Sequence, residues 1–292
     1  MSTQLINPIS MQSIITHVDG SDKLWSIYAI KSKRQDIITL EELSSSLCIG
    51  LKTAARNLKT TTNQYIHTAD FLTRRFCTDK YHLCYKHLSQ QYGTFDTDFL
   101  KVQIMSIRGY CVGVLYTNNI GFKKFFPCEI YKGEETGWSL SSFIELVGLP
   151  NSLHSDNHNN FKEGFLKRLL RKFSIYQIFT EPHSPCQNHA KPAIGEVKAY
   201  ARCLMKNTNT PVRIWCFCYE YSADILSLLS TGRFDLQGIS PYKVVMHHTP
   251  DMSKYVSYTR FQWCWYLDES TKSKRLWCWL GPTNQAGQAF WS

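Results

Sequence analysis

The order of strand-like and helix-like segments between Thr94 and Leu229 is the feature that most limits what this chain can fold into. Three β-rich runs come first, and Asn-Asn-Ile-Gly between the second and third is typical of a hairpin. A helix, a strand, a helix, a strand and two further helices follow. This order predicts one α/β domain at 94–232, with a five-stranded mixed sheet and helices on both faces.

Helical periodicity supports the assignments within this domain. The segment 136–149 carries an apolar face that we expect to include Trp138. The segment 162–173 is amphipathic, with leucines on one side and lysines and arginines towards the other. Pro211 suits the first turn of the last helix, since the missing N–H costs nothing there.

The segment 37–68 predicts two short helices. Thr39 is a plausible N-cap with Glu42 at the capping-box position, and leucines then follow at helical spacing. Gly50 interrupts the pattern, which resumes with Leu51. Helix, tight turn and helix is the shape of a helix-turn-helix unit, and an ordinary helical hairpin is the alternative.

The remaining segments carry weaker patterns. Residues 1–36 are poorly patterned apart from one strand-like run, residues 69–93 read as a basic linker, and residues 233–292 predict a small β-rich segment. Four potential zinc ligands fall in the linker: Cys77, His82, Cys84 and His87. Their spacing differs from that of structural zinc sites, so we do not predict a metal there.

Charge and cysteine content bear on partners and compartment. The chain has a net charge of +10, which favours a polyanionic partner. Its eleven cysteines form no regular framework, and the N-terminus lacks the pattern of a signal peptide. No apolar run reaches the length of a membrane-spanning helix. We expect reduced cysteines in a nuclear or cytoplasmic setting, with no membrane partner.

Two aspartates and a lysine are the candidate functional residues of this domain. Asp98 lies in the first strand-like run, Asp156 ends the fourth, and Lys191 lies where a helix begins. The first two are separated by 57 residues, and Asp156 and Lys191 by 34. Three carboxylates that meet in a fold can hold two divalent ions for phosphoryl transfer, but a lysine at the third position carries the opposite charge.

These motifs carry a family resemblance. The stretches LPNSLHSDNHNNF, TEPHSPCQNHA and AIGEVKAYAR, with the run from Thr210 to Asp251, resemble the integrase region of a copia-type LTR retrotransposon polyprotein over roughly residues 37–292. The resemblance implies a ribonuclease-H-like core, a fragment of a longer polyprotein and DNA integration using Mg²⁺ or Mn²⁺. The implied partners are retroelement ends and target DNA, with homo-oligomerisation left open.

Carried over to this chain, the metal-binding aspartates are Asp98, with Asp96 as the alternative, and Asp156. The family's third acid, a glutamate, maps to Lys191. A lysine ammonium has donors and no acceptor, so it cannot bind a cation. We therefore expect weakened metal binding and impaired catalysis, and leave enzymatic activity undecided. The alternative function is a non-catalytic nucleic-acid-binding module that keeps the fold.

Other positions bear on these expectations. Rescue of the third ligand by Glu181 or Glu196 is the alternative to impairment. Departures from the family pattern occur at Cys186, Lys243, Arg260 and 277–279. The histidines near the acids (His154, His158, His183 and His189) read as surface or hydrogen-bonded side chains. The residues expected to contact DNA, or else to form a solvated face, are Lys167, Arg168, Arg171, Lys172, Lys198 and Arg202.

Overall fold

The computed structural model describes residues 25–26, 38–61, 90–162, 164–181, 187–256, 258–268, 273–282 and 289–291. The chain divides into two compact units. The larger consists of residues 50–62 and 81–250, and the smaller of residues 1–49, 63–80 and 251–292. The predicted segment boundaries are not tested by this division and stay predictions.

Strands build one sheet in each unit. In chain order they are β1 (Trp25–Ser26), β2 (Gln90–Lys101), β3 (Val112–Asn118), β4 (Lys123–Cys128), β5 (Leu149–Ser155), β6 (Tyr176–Phe179), β7 (Trp263–Asp268), β8 (Ser273–Gly281) and β9 (Ala289–Trp291). The larger unit has the order β4-β3-β2-β5-β6, in which β2, β3 and β4 are antiparallel and β5 and β6 run parallel to β2. This is the ribonuclease-H-like mixed sheet that the sequence predicts.

Helices cover both faces of the five-stranded sheet. In chain order the helices are α1 (Leu40–Ser46), α2 (Leu51–Thr60), α3 (Gly133–Leu146), α4 (Asn159–Lys162), α5 (Gly164–Lys172), α6 (Ala190–Thr208), α7 (Trp215–Leu228), α8 (Pro241–Met246) and α9 (Ser253–Val256). Side chains of β2 alternate between the faces. Phe95 and Phe99 pack on Phe143 and Phe161, on the side of α3, α4 and α5. Asp96 and Asp98 therefore face the opposite side, which α6 and α7 cover.

Three details of the helices differ from the prediction. Trp138 of α3 is 62% exposed and so does not belong to the buried face, although its ring is 5.0 Å from that of Phe165. The basic segment 162–173 is not one helix, because the positive φ of Gly164 separates α4 from α5. Pro211 caps a short 3₁₀ turn, Val212–Ile214, and α7 begins only after it. Periodicity identified each helix but not where it begins.

The helices on either side of Gly50 are confirmed. Both bonds of the predicted capping box form: the Glu42 amide donates to Thr39 Oγ1 (3.2 Å), and the Thr39 amide donates to Glu42 Oε2 (3.0 Å). In the larger unit, the buried Asn57 of α2 accepts a bond from the Ser230 amide (2.7 Å). A DNA-reading function for these helices stays a prediction.

The smaller unit confirms a β-rich C-terminal segment. Its antiparallel sheet has the order β1-β9-β8-β7, so the strand expected in the N-terminal segment pairs with the end of the chain. The candidate zinc ligands of the linker lie outside the described residues, as do Cys186 and His183. None of the described helices has the length and apolar character needed to cross a bilayer.

Candidate functional site

Asp98 and Asp156 lie side by side near the C-terminal ends of two neighbouring strands of the larger sheet. Strands β2 and β5 are parallel, and Thr97 pairs with Ser155, so the next residue of each strand is one of the two acids. Asp98 Oδ1 accepts a bond from the Phe99 amide (2.7 Å). Burial raises the pKa of Asp98, and the negative charge of Asp156 raises it further. The two carboxylates therefore share one electrostatic environment.

Lys191 lies in the same environment, in the first turn of α6. Its positive charge lowers the pKa of Asp98, against the larger effect of burial. The start of α6 is held to β2 by Asn188, which donates to the Thr97 carbonyl (3.3 Å) and accepts from the Ala190 amide (2.8 Å). The structure thus brings together the three residues that the family resemblance selected, and Asn188 accounts for the position of the lysine.

This donor set does not fit a pair of divalent ions. Carboxylates suit Mg²⁺, but the Lys191 ammonium offers no lone pair and repels a cation. Among the residues that the structure describes, no group of three or more His, Cys, Asp or Glu side chains could hold an ion. The two alternative acids have other partners: Glu196 pairs with Lys123 (3.0 Å), and Glu181 accepts from Gln187 (3.2 Å).

Beside the acids, a buried chain of polar side chains crosses three neighbouring segments. His154 Nδ1 is hydrogen-bonded to Asp96 Oδ1 (2.6 Å), and His154 Nε2 lies 3.2 Å from Thr180 Oγ1. The Thr180 hydroxyl in turn donates to the Ser155 carbonyl (3.2 Å). All three side chains are buried. Burial raises the pKa of Asp96, and the hydrogen bond and charge of His154 lower it.

Sequence reasoning did not find this chain of bonds. It left Asp96 as an alternative to Asp98, and it read His154 as one of several surface or hydrogen-bonded histidines. The available indication was the pattern Asp-x-Asp on β2 and His-x-Asp on β5, which places a polar pair two residues before the two acids on one face. In the structure Asp96 is bonded to His154, and Asp98 is the aspartate whose pKa responds to Asp156.

Tyr131 borders the acids and was also missed, because it comes from the connection between β4 and α3 and belongs to no motif. Its ring lies 4.2 Å from that of Phe99 and 4.9 Å from that of His158, and Lys101 Nζ is 4.2 Å from its centroid. Burial and the negative charges of Asp156 and Asp98 raise the pKa of Tyr131 to about 12. The phenol is therefore a hydrogen-bond donor at neutral pH.

The six basic residues expected to contact DNA belong to two separate surfaces. The four on α5 (Lys167, Arg168, Arg171 and Lys172) are exposed, and the leucines of α5 enter the core on one face of the sheet. The two on α6, of which Lys198 is half-buried and Arg202 exposed, lie with the helices of the opposite face. A single DNA molecule that contacts all six would have to pass over an edge of the sheet.

Asp98→Asn is expected to stabilise the protein at neutral pH. The pKa of Asp98 is higher in the folded than in the unfolded protein. Asp98 therefore contributes fully to stability below its unfolded-state pKa of about 4. This contribution is lost as the pH rises through the folded-state pKa, where the buried carboxyl ionises. Asparagine carries no charge, so the melting temperature should rise by up to about 4 °C at pH 7, the shift that 1 kcal/mol gives in a domain of this size.

The gain should disappear at about pH 3, where Asp98 is protonated in both states. Thermal unfolding followed by circular dichroism at both pH values measures it. Asp235→Asn is the matched control, since Asp235 is exposed and paired with Arg233 (2.7 Å) and its loss should not stabilise. A lower melting temperature for Asp98→Asn at pH 7 would contradict the expectation.

Comparison with known proteins finds distant likeness among solved structures. No protein-family model matches the chain, and no curated protein matches it. Among solved structures, the catalytic core domain of BIV integrase is similar, with a TM-score of 0.40 and 15% identity over 53% of this chain and 93% of that domain. A likeness at this level carries no argument by itself, so the fold assignment rests on the strand order and on the helices of both faces.

Proposed function

We propose that this chain is an integrase-like protein that binds DNA and whose capacity for phosphoryl transfer is impaired by Lys191. The observation that carries the proposal is the meeting of Asp98 and Asp156 at one edge of a ribonuclease-H-like sheet, with Lys191 beside them on α6. The resemblance of the surrounding motifs supports the finer assignment to a copia-type retrotransposon, acting on retroelement ends and target DNA in the nucleus or cytoplasm.

The residues present suit contact with a nucleic-acid backbone better than they suit a metal pair. Lys191 and Lys101 are exposed cations near the acids, and ammonium groups commonly contact phosphates. The protonated Tyr131 phenol adds a neutral donor at the same place. Compared with a site of three acids, this site has one negative charge less to attract ions and one positive charge more to repel them.

The second candidate function is a non-catalytic nucleic-acid-binding module. It is favoured by the same lysine, because a site that cannot hold two ions still leaves the basic surfaces in place. Both candidates require DNA binding, so this binding is the first property to test.

Affinity for duplex DNA should fall steeply as salt rises. A protein that neutralises 6–10 phosphates loses about 10³–10⁵ in affinity between about 50 and 200 mM salt. Fluorescence anisotropy with a 20-base-pair duplex across this range measures the slope. Replacing both Lys167 and Arg171 by glutamine should reduce the magnitude of that slope by about 0.9 for each phosphate that the protein no longer neutralises.

Arg233→Gln is the control for that experiment, because Asp235 already neutralises Arg233 (2.7 Å). We expect it to leave the slope unchanged. An affinity that does not respond to salt would remove both candidate functions. A normal slope that is insensitive to the two α5 substitutions would instead place the DNA on the surface of α6.

A further inference from the structure

Two tryptophans on β7 stand in solvent on one face of the smaller sheet. Trp263 is 58% exposed and Trp265 is 64% exposed, and as alternate residues of a strand they point to the same side. Leu276 of β8, directly opposite Trp265, is 44% exposed. Lys274, two residues before Leu276 on β8, is also exposed on that side. We call Trp263, Trp265, Leu276 and Lys274 the tryptophan face.

Exposure of so much apolar surface to water is energetically unfavourable. Tryptophan carries a large apolar surface, and contiguous exposed apolar groups usually mark a binding site. Phe261, just before β7, has its ring 6.4 Å from that of Trp263 at an interplanar angle of 62°, so a third aromatic ring adjoins the face edge-on. The face therefore offers two tryptophan rings on one strand, rather than a single exposed side chain.

The spacing of the tryptophans matches the thickness of a base. Strand residues rise by about 3.4 Å, so alternate residues are about 6.8 Å apart. Stacked bases repeat about every 3.4 Å along a strand. This backbone separation leaves room for one planar base between two indoles that lie parallel to each other, and the outer side of each indole can receive another.

The charge of this part of the sequence favours an anionic ligand. Residues 258–282 contain four lysines and arginines and two acidic residues, a net charge of +2, within a chain of net charge +10. Lys274 stands on the face itself, where it can contact a phosphate. An acidic peptide would be complementary to the positive charge, but it has no regularly spaced planar rings to stack on the tryptophans. A duplex would also be complementary to the charge, but its bases are already stacked on one another.

We propose that the tryptophan face binds single-stranded nucleic acid, with bases stacking on Trp263 and Trp265 and Lys274 contacting the backbone. This site belongs to the smaller unit, whereas the acids and the basic helices assigned to duplex binding belong to the larger unit. It gives the protein a second, sequence-tolerant mode of nucleic-acid recognition, because every base has an aromatic face.

The proposal is tested with a fluorescent 12-residue oligothymidylate and an abasic 12-residue strand of the same backbone and charge. The unmodified protein should bind the oligothymidylate at least tenfold more tightly. Trp265→Ala and Trp263→Ala should each weaken oligothymidylate binding about 5- to 150-fold, the range for loss of one stacked base, whereas Trp265→Phe should keep it within about threefold.

Trp138→Ala is the matched control, since Trp138 is 62% exposed and belongs to the larger unit. It should leave oligothymidylate binding unchanged, and binding of the 20-base-pair duplex should be unaffected by Trp265→Ala. Equal affinity for the two 12-residue strands would overturn the proposal. So would unchanged oligothymidylate binding combined with loss of self-association in Trp265→Ala, measured by sedimentation, which would assign the face to a second copy of the chain.

If the unmodified protein binds the oligothymidylate selectively but does not bind the duplex, the proposed function is contradicted and this inference stands. If it binds the duplex but does not prefer the oligothymidylate to the abasic strand, this inference is contradicted and the proposed function stands. Both tryptophans are more than half exposed, so the alanine variants should melt within about 2 °C of the unmodified protein. The comparison of the two strands needs no variant at all.

Discussion

Lys191→Glu is expected to give this protein tight binding of divalent ions and measurable strand transfer, neither of which the unmodified chain should show above background. The substitution changes the charge beside Asp98 and Asp156 by two units and adds a carboxylate ligand. Two unit charges about 4 Å apart interact by about 4 kcal/mol at an effective dielectric constant of 20, and a divalent ion feels more. Mn²⁺ affinity should rise at least tenfold, which requires only about 1.4 kcal/mol.

Calorimetric titration with Mn²⁺, and transfer of a short donor duplex into a supercoiled plasmid, measure the two effects. Lys191→Ala removes the repulsion without adding a ligand, so it should improve ion binding less than Lys191→Glu and give no strand transfer. Adding Asp156→Asn to Lys191→Glu should abolish both gains. Robust transfer by the unmodified chain, lost in Asp156→Asn, would show that Glu181 or Glu196 supplies the third ligand.

His154→Ala is expected to be the most destabilising single change in the region of the acids. His154 and Asp96 form a buried pair (2.6 Å), and removing one member leaves a buried carboxylate without its partner. Breaking such pairs typically costs about 3–5 kcal/mol. At about 2–4 °C per kcal/mol, the melting temperature should fall by about 6–20 °C.

His158→Ala provides the matched control, because His158 lies two positions after Asp156 but is exposed. Its loss should change stability by no more than about 0.5 kcal/mol. Replacing Asp96 and His154 together by leucines should cost less than His154→Ala alone, since no charge is then left buried. Urea unfolding of the three variants measures these differences, and equal losses for the two histidine variants would refute the expected importance of the buried pair.

Local patterns predicted the sheet, and the family resemblance predicted that its acids would meet. Alternating strand and helix segments fix which strands are parallel, and parallel strands end at the same edge of a sheet. Asp98 and Asp156, placed near those strand ends, therefore had to approach each other. Lys191 follows from the same logic, since the helix that carries it begins after the next strand.

The remaining features depend on information that local patterns lack. The bond between Asp96 and His154 depends on the register of two strands whose bonded residues are 58 positions apart in the sequence, and a shift by one residue would turn His154 to the other face. Tyr131 reaches the acids through the path of a connecting loop. Trp138 fits the apolar period of α3, but it falls at the rim, where its side chain stays largely in solvent.

Positions two residues apart on β2, and likewise at the end of β5, have different roles. Asp96 and His154 join the strands from within, whereas Asp98 and Asp156, one step along the same face, have no partner of that kind among the hydrogen bonds of the described residues. Substitutions at the outer positions can accumulate without weakening the inner ones. What the outer acids bind can therefore change in a chain that folds as before.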